Sequence, residues 1–295
     1  MNESFYGFTE KPFGLAPDPR FLYPSASHAD GLAHLRYAID RREGFVVVTG
    51  DVGTGKTTLC RALLERAPRD TLAALLLDPF RSEEDLLTAT LRDLGVVSRA
   101  VRTGGGRRPS RQELVATLHD FLLSLVPLGA RAVLVVDEAQ DLPLPLLEQV
   151  RILANMETDR GKLLQIVLVG QLELTSVLRS PELRQLDQRV SVRYELRPLT
   201  GDEVGGYVAH RLAVADPARE VAFTPAALHE VHRVSGGVPR VVNLLCDRAL
   251  LAGATARTHR IDEAQVRDAA RDLALVPPAP PRRSWIGRML GRRAP

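Results

Sequence analysis

Gly50-Asp51-Val52-Gly53-Thr54-Gly55-Lys56-Thr57 sets two glycines, a lysine and a threonine at the spacing G-x-x-x-x-G-K-[ST], with a third glycine between them, and Thr58 follows. Those residue types suit one chemistry, the cradling of phosphate oxygens. Glycines let successive backbone N–H groups converge on an anion. A helix starting near Lys56 would add its positive end. Lys56 is a compact point charge able to reach β- and γ-phosphates, where arginine's planar fork fits poorly. The chain otherwise avoids lysine: only Lys11, Lys56 and Lys162 occur, so 36 of its 39 basic residues are arginine. Residues 50–58 are therefore expected to bind a nucleotide.

The apolar run RAVLVVD (131–137) ends in Asp137 and Glu138. Behind a phosphate-binding turn, Asp137 and Thr57 are the expected Mg²⁺ ligands, and Glu138 the group that polarises an attacking water. Gln171 follows another apolar run, LLQIVLVG (163–170), at the strand end that faces the ligand crevice of a parallel sheet, where a polar residue can sense the γ-phosphate. Arg184 and Arg189 precede the last strand, and Arg240 starts a helix after SGGVP. A cation near the transferring phosphoryl group can add about 10³–10⁵ in rate. With arginine so abundant, position rather than identity has to select among them.

The elements that must hold these residues are legible as a rhythm. FVVVT (45–49), TLAALLLD (71–78), the two runs above and a weaker alternating VSVRYEL (190–196) read as strands. Helical patterns separate them, including one in which Leu114, Leu118, Phe121, Leu122 and Leu125 share a face behind a Ser110–Glu113 capping box. Alternating strands and helices imply a parallel sheet covered on both faces. After Leu199 only helices are expected, with starts at Thr200/Glu203, Thr224-Pro225 and Asp262 and a break at Gly236-Gly237. The expected organisation is an α/β nucleotide-binding domain over 1–199, a helical lid over 200–273, and a proline-rich linker with a basic tail over 274–295.

Cys60 and Cys246 are expected as buried free thiols of a reducing compartment. The N-terminus MNESFYGFTE has no basic region followed by a long apolar core, so no signal peptide is expected. The net charge of +3 includes five arginines at 282–295 with no acid, and without them the body is at 3 − 5 = −2. Global basicity therefore gives no argument for nucleic-acid binding. The segment 98–111 carries five arginines, no acid and three adjacent glycines, and reads as a surface loop or a contact site for a partner or nucleic acid. In the tail, Trp285, Ile286, Met289 and Leu290 share one helical face among arginines, a pattern suited to an anionic membrane surface or an acidic groove, against the plainer alternative of a solvated end.

Taken together, the elements resemble an AAA+ ATPase, and most closely the ExeA/GspA type associated with bacterial type II secretion, exopolysaccharide and envelope loci. The likeness is carried by SFYGFTEKPFGLAPDPRFLYPSASH, EGFVVVTGDVGTGKTTL, VLVVDEAQDL, LEQVRILANMETD, LLQIVLVGQLEL and SGGVPRVVNLLCDRAL, and covers residues 1–272. The resemblance implies a P-loop NTPase fold with a five-stranded parallel sheet of order 5-1-4-3-2 and a C-terminal helical lid. It implies that Gln171 acts as sensor 1 and Arg240 as sensor 2. It also implies that Arg189, or less well Arg184, reaches a neighbouring subunit's nucleotide, and that the N-terminal segment around Phe13 and Leu22 packs near the adenine. Asp78 stands where an asparagine often restrains the catalytic glutamate in that family, and a second carboxylate would repel Glu138. The peptidoglycan-binding region of the long secretion ATPases is not carried over. The expected function is an oligomeric ATP hydrolase that remodels or positions a partner in envelope assembly or export, in the cytoplasm and peripheral at the inner membrane. A DNA-associated ATP switch and a nucleotide-binding scaffold without turnover are the competing expectations.

Overall fold

The computed structural model describes residues 2–77, 80, 82–97, 109–159 and 161–275. Asp78, most of the arginine-rich segment 98–111, nearly all of the proline-rich linker and the tail 282–295 lie outside the described residues.

Five parallel strands form the central sheet: β1 (Phe45–Gly50), β2 (Thr71–Leu76), β3 (Arg131–Val136), β4 (Leu164–Gly170) and β5 (Val190–Leu196). Their order is β2-β3-β4-β1-β5, the expected 5-1-4-3-2. Strands β1 and β4 are buried along their whole length, which is why their sequences run apolar without alternation. Edge strand β5 alternates half-buried with exposed residues, which accounts for its weaker pattern.

Successive side chains of a strand point to opposite faces, so each apolar run supplies two cores. Phe45, Val47, Leu134, Val136, Ile166 and Leu168 lie on one face. Helices α3 (Glu83–Asp93), α4 (Arg111–Leu125) and α5 (Leu144–Leu153) cover it, and Ser110 with Glu113 forms the expected capping box on α4. Val46, Val48, Val135 and Val167 lie on the other face, covered by α1 (Ala26–Asp40) and α2 (Lys56–Glu65). On β4, the Gln165 amide donates to the carbonyls of Ala38, Ile39 and Glu43, satisfying the carbonyl end of α1.

Beyond β5 come α6 (Gly201–Val214), α7 (Pro225–Ser235), α8 (Pro239–Thr255) and α9 (Glu263–Asp272). Thr200, Thr224 and Asp262 cap three of them. The expectation of helices alone after Leu199 is corrected by a short parallel pair, Ala222–Phe223 with Arg260–Ile261. Two residues per strand are too few to show a period in the sequence. The helical part has its own core, in which Val204, Val208, Val242, Cys246, Leu250 and Val266 pack together with Tyr6, Phe8 and Phe13 of the N-terminal segment. The chain's first aromatics thus join the helices rather than the sheet, and the Tyr6 hydroxyl donates to Leu250 O at 3.0 Å. Both cysteines are free and buried, and burial pushes both thiol pKa values up. Among the described residues no helix is long and apolar enough to cross a membrane.

Candidate nucleotide-binding cleft

Strand β1 ends at Gly50, and the turn after it doubles back before α2 begins at Lys56. Gly53 and Gly55 have φ of +82° and +101°, a region that L side chains rarely adopt. Within the turn the Thr54 hydroxyl donates to Asp51 O at 2.8 Å. Lys56 is buried, and its ammonium donates to Gly50 O at 2.8 Å and Asp51 O at 3.0 Å. Burial pushes the Lys56 pKa down, while the charges of Glu138, Asp137 and Asp51 pull it back up. The side chain is therefore a desolvated cation facing acids, suited to a polyanion placed between them.

Parallel pairing of β3 with β2 and β4 brings the end of β3 in front of α2. Thr57, in the first turn of α2, donates its hydroxyl to Asp137 Oδ2. Two hard oxygens therefore converge beside the lysine. Among the described residues no group of three or more His, Cys, Asp or Glu gathers as a metal cage. A hydroxyl and one carboxylate fit the way Mg²⁺ is held next to phosphates, where the remaining ligands are water and the nucleotide. Glu138 sits in the left-handed region at φ 48°, ψ 40°, a strained conformation for a residue with a side chain. Glu138 forms part of the cleft wall with residues 52–58.

Of the expected binding residues, Val52, Gly53, Thr54, Gly55, Lys56, Thr57 and Thr58 line the cleft. Gly50 and Asp51 act behind it, through the carbonyls that hold Lys56. Arg240 lines the opposite wall, at the start of α8, and its backbone N–H donates to Gly53 O at 3.1 Å. The helical part thus touches the phosphate turn directly. Gln171 follows β4, and its backbone N–H donates to Gln140 Oε1 at 2.9 Å. Arg184 and Arg189 are exposed and do not line the cleft, and Arg189 donates to Asn155 Oδ1. Leu22 lines the cleft as expected, whereas Phe13 is buried against Phe223. Residues 14–18 and Phe21, Leu22 and Tyr23 form that side instead.

Four further groups carry no signal in the sequence. The His28 ring bridges α1 and the phosphate turn, with Nε2 3.1 Å from Thr54 O and Nδ1 2.7 Å from Ser25 Oγ. Because a carbonyl only accepts, Nε2 carries the proton and Nδ1 accepts from the serine. Burial pushes the His28 pKa down, in keeping with a neutral ring. Arg211 of α6 is buried and donates to Pro12 O at 2.6 Å, Gly14 O at 3.0 Å and the Tyr207 hydroxyl at 3.2 Å, with its guanidinium 4.4 Å from the Phe21 ring centroid. Tyr207 in turn donates to Asn243 Oδ1 at 2.8 Å. This network binds the N-terminal segment to the helices on the far side of the cleft. Gln140, described below, is the fourth.

A family model described as an AAA domain matches residues 39–178. General secretion pathway protein A of Aeromonas hydrophila is 43% identical over 274 residues, which is 93% of this chain and 49% of that protein. The chain therefore spans about half the length of the curated relative it matches. Among solved structures, Cdc6p of Pyrobaculum aerophilum superposes with a TM-score of 0.65 at 18% identity, over 92% of this chain and 71% of that one. ORC1 of Aeropyrum pernix, solved in complex with DNA, gives 0.63 at 19%, over 90% and 69%. At these identities the two structures support the P-loop NTPase fold and nothing finer.

Proposed function

From the AAA domain of the general secretion pathway protein A type that this chain carries, we propose that it is an ATP hydrolase that oligomerises and uses its nucleotide cycle to position or remodel a protein partner in secretion or envelope assembly. The observation that carries the hydrolytic part is the convergence of Lys56, Thr57, Asp137 and Glu138 on one side of a cleft that Arg240 closes from the other. Residues 52–58 wrap the phosphates with backbone N–H groups, and Lys56 exchanges its carbonyl partners for phosphate oxygens. Thr57 and Asp137 would hold Mg²⁺, which would neutralise negative charge on the phosphoryl oxygens. Glu138 orients water for in-line attack and takes up its proton. Gln171 and Arg240 report the γ-phosphate to the sheet end and to the helical part. Arg189, with Arg184 as the alternative, reaches the nucleotide of a neighbouring copy.

The domain division proposed is 1–199, 200–273 and 274–295, although the aromatic residues at the N-terminus share the helical core. The proposed location is the cytoplasm, peripheral at the inner membrane through the tail 282–295. The alternative of a DNA-associated switch rests on the arginines of 98–111, and DNA binding that falls steeply with salt would favour it.

Titration with ATP tests the binding site. Lys56→Ala removes the fixed counter-charge of the phosphates and is expected to weaken ATP by about 100-fold, the cost of unpairing a buried charge. Unchanged affinity in Lys56→Ala would overturn the assignment of the cleft.

A further inference from the structure

We infer that Gln140 is a positioning residue that aims the Glu138 carboxylate and ties it to the end of β4. This inference rests on the hydrolytic reading of Glu138. Gln140 Nε2 donates to Glu138 Oε2 at 2.9 Å, and Gln140 Oε1 accepts from the Gln171 backbone N–H at 2.9 Å. The amide orientation is fixed by chemistry: an ionised carboxylate only accepts and a backbone N–H only donates. A side-chain amide offers both functions without charge, so it can bridge the two.

The seat for this amide is built into the sheet. A Cβ on Gly170, the last residue of β4, would lie 2.6 Å from Gln140 Oε1, so glycine is what lets the amide approach the strand end. On the other side, Glu138 occupies a left-handed backbone conformation, a strained one, just before the turn that carries Gln140. Gln140 follows Glu138 by two residues, in the short helical turn Ala139–Asp141, which itself packs on β4 and on the helix Glu173–Leu178. A shift of the Gln171 backbone therefore pulls on the amide, and the amide pulls on the carboxylate. Any movement at the strand end that answers the γ-phosphate would reach Glu138 through two hydrogen bonds.

The full chain with ATP and Mg²⁺ provides the test, with steady-state phosphate release and ATP affinity measured on each variant. Gln140→Leu keeps side-chain bulk and removes both hydrogen bonds. It is expected to lower kcat by about 10–100-fold, the usual effect of losing a group that orients a reacting one, with ATP affinity within about twofold of the parent. Gln140→Glu keeps the shape but sets a carboxylate against Glu138, and is expected to lose at least as much. Gly170→Ala leaves Glu138 and Gln140 unchanged but displaces the amide, and should lower kcat in the same direction. Combining it with Gln140→Leu should add little further loss of kcat, because both act through one contact. Its Cβ also crowds Leu174, so rates are read well below each variant's melting temperature. Kcat retained in both Gln140 variants would overturn the inference, as would equal losses of kcat and affinity, or losses that multiply in the double variant. Glu138→Gln run in parallel separates the failures: if it turns over normally, the hydrolytic reading itself is wrong, whatever Gln140 does.

Discussion

Ser25 and His28 of the α1 start hold the phosphate turn at Thr54, through a neutral imidazole whose pKa burial pushes down. The sign of the resulting pH dependence follows directly. Below about pH 6.5 the unfolded chain takes up a proton that the folded ring resists, so stability present above that pH is lost as pH falls towards the folded pKa. His28→Gln can keep a donor for Thr54 O without titrating. Thermal melts of the two proteins are expected to diverge below about pH 6.5, with the parent losing stability faster. Parallel melting profiles would remove the histidine from this role. Residues of this kind also mark where sequence reading ends. Lys56 was legible because its task is local: the glycines that shape its turn lie within six residues. His28 reaches Thr54 across 26 positions and Gln140 reaches Gln171 across 31, with no spacing rule to announce either. Arg211 is one of 36 arginines, and only the fold shows that its guanidinium is buried among carbonyls.

Strands and helices were legible where periodicity runs long enough, as in β1, β3 and β4, and capping chemistry located the starts of α4, α6, α7 and α9. Of the N-terminal segment expected on the adenine side, Leu22 lines the cleft, but Phe13 belongs to the helical core, because contacts such as Tyr6 with Leu250 span 244 positions. The sheet and the helices also meet at two further places. Glu203 accepts from Thr200 N in its own capping box and from Ala26 N at the start of α1, so one carboxylate caps a helix on each side of the cleft. Gly237, at φ +75°, lies against the exit of β5: Leu199 N donates to Gly237 O at 2.9 Å, and a Cβ there would fall on the Leu199 carbonyl oxygen. Gly236→Ala, also at positive φ but facing open space, is expected to cost about 1 kcal/mol. Gly237→Ala adds a backbone clash and is expected to cost at least about 2–3 kcal/mol, read as a clearly lower melting temperature. Equal effects of the two substitutions would contradict the close packing of Gly237 on Leu199.

For the whole molecule, the proposed arginine finger is a group that one chain does not bring to its own cleft. Arg189 and Arg184 are exposed and away from that cleft, which suits a role towards a second copy. A shared site of that kind predicts that phosphate release per chain rises with protein concentration, because assembly completes the site. The most direct measurement is phosphate release from ATP by the parent, by Glu138→Gln, by Arg189→Ala and by an equal mixture of the two variants. Glu138→Gln alone is expected to bind ATP with near-parent affinity and to turn over at least about 100-fold more slowly, since only the water-orienting base is lost. The mixture should regain activity that neither variant has alone, because some interfaces then pair an intact Glu138 with an intact Arg189. Rescue with Arg184→Ala in place of Arg189→Ala would move the trans cation to Arg184. Parent-level turnover by Glu138→Gln alone would contradict the account at its centre.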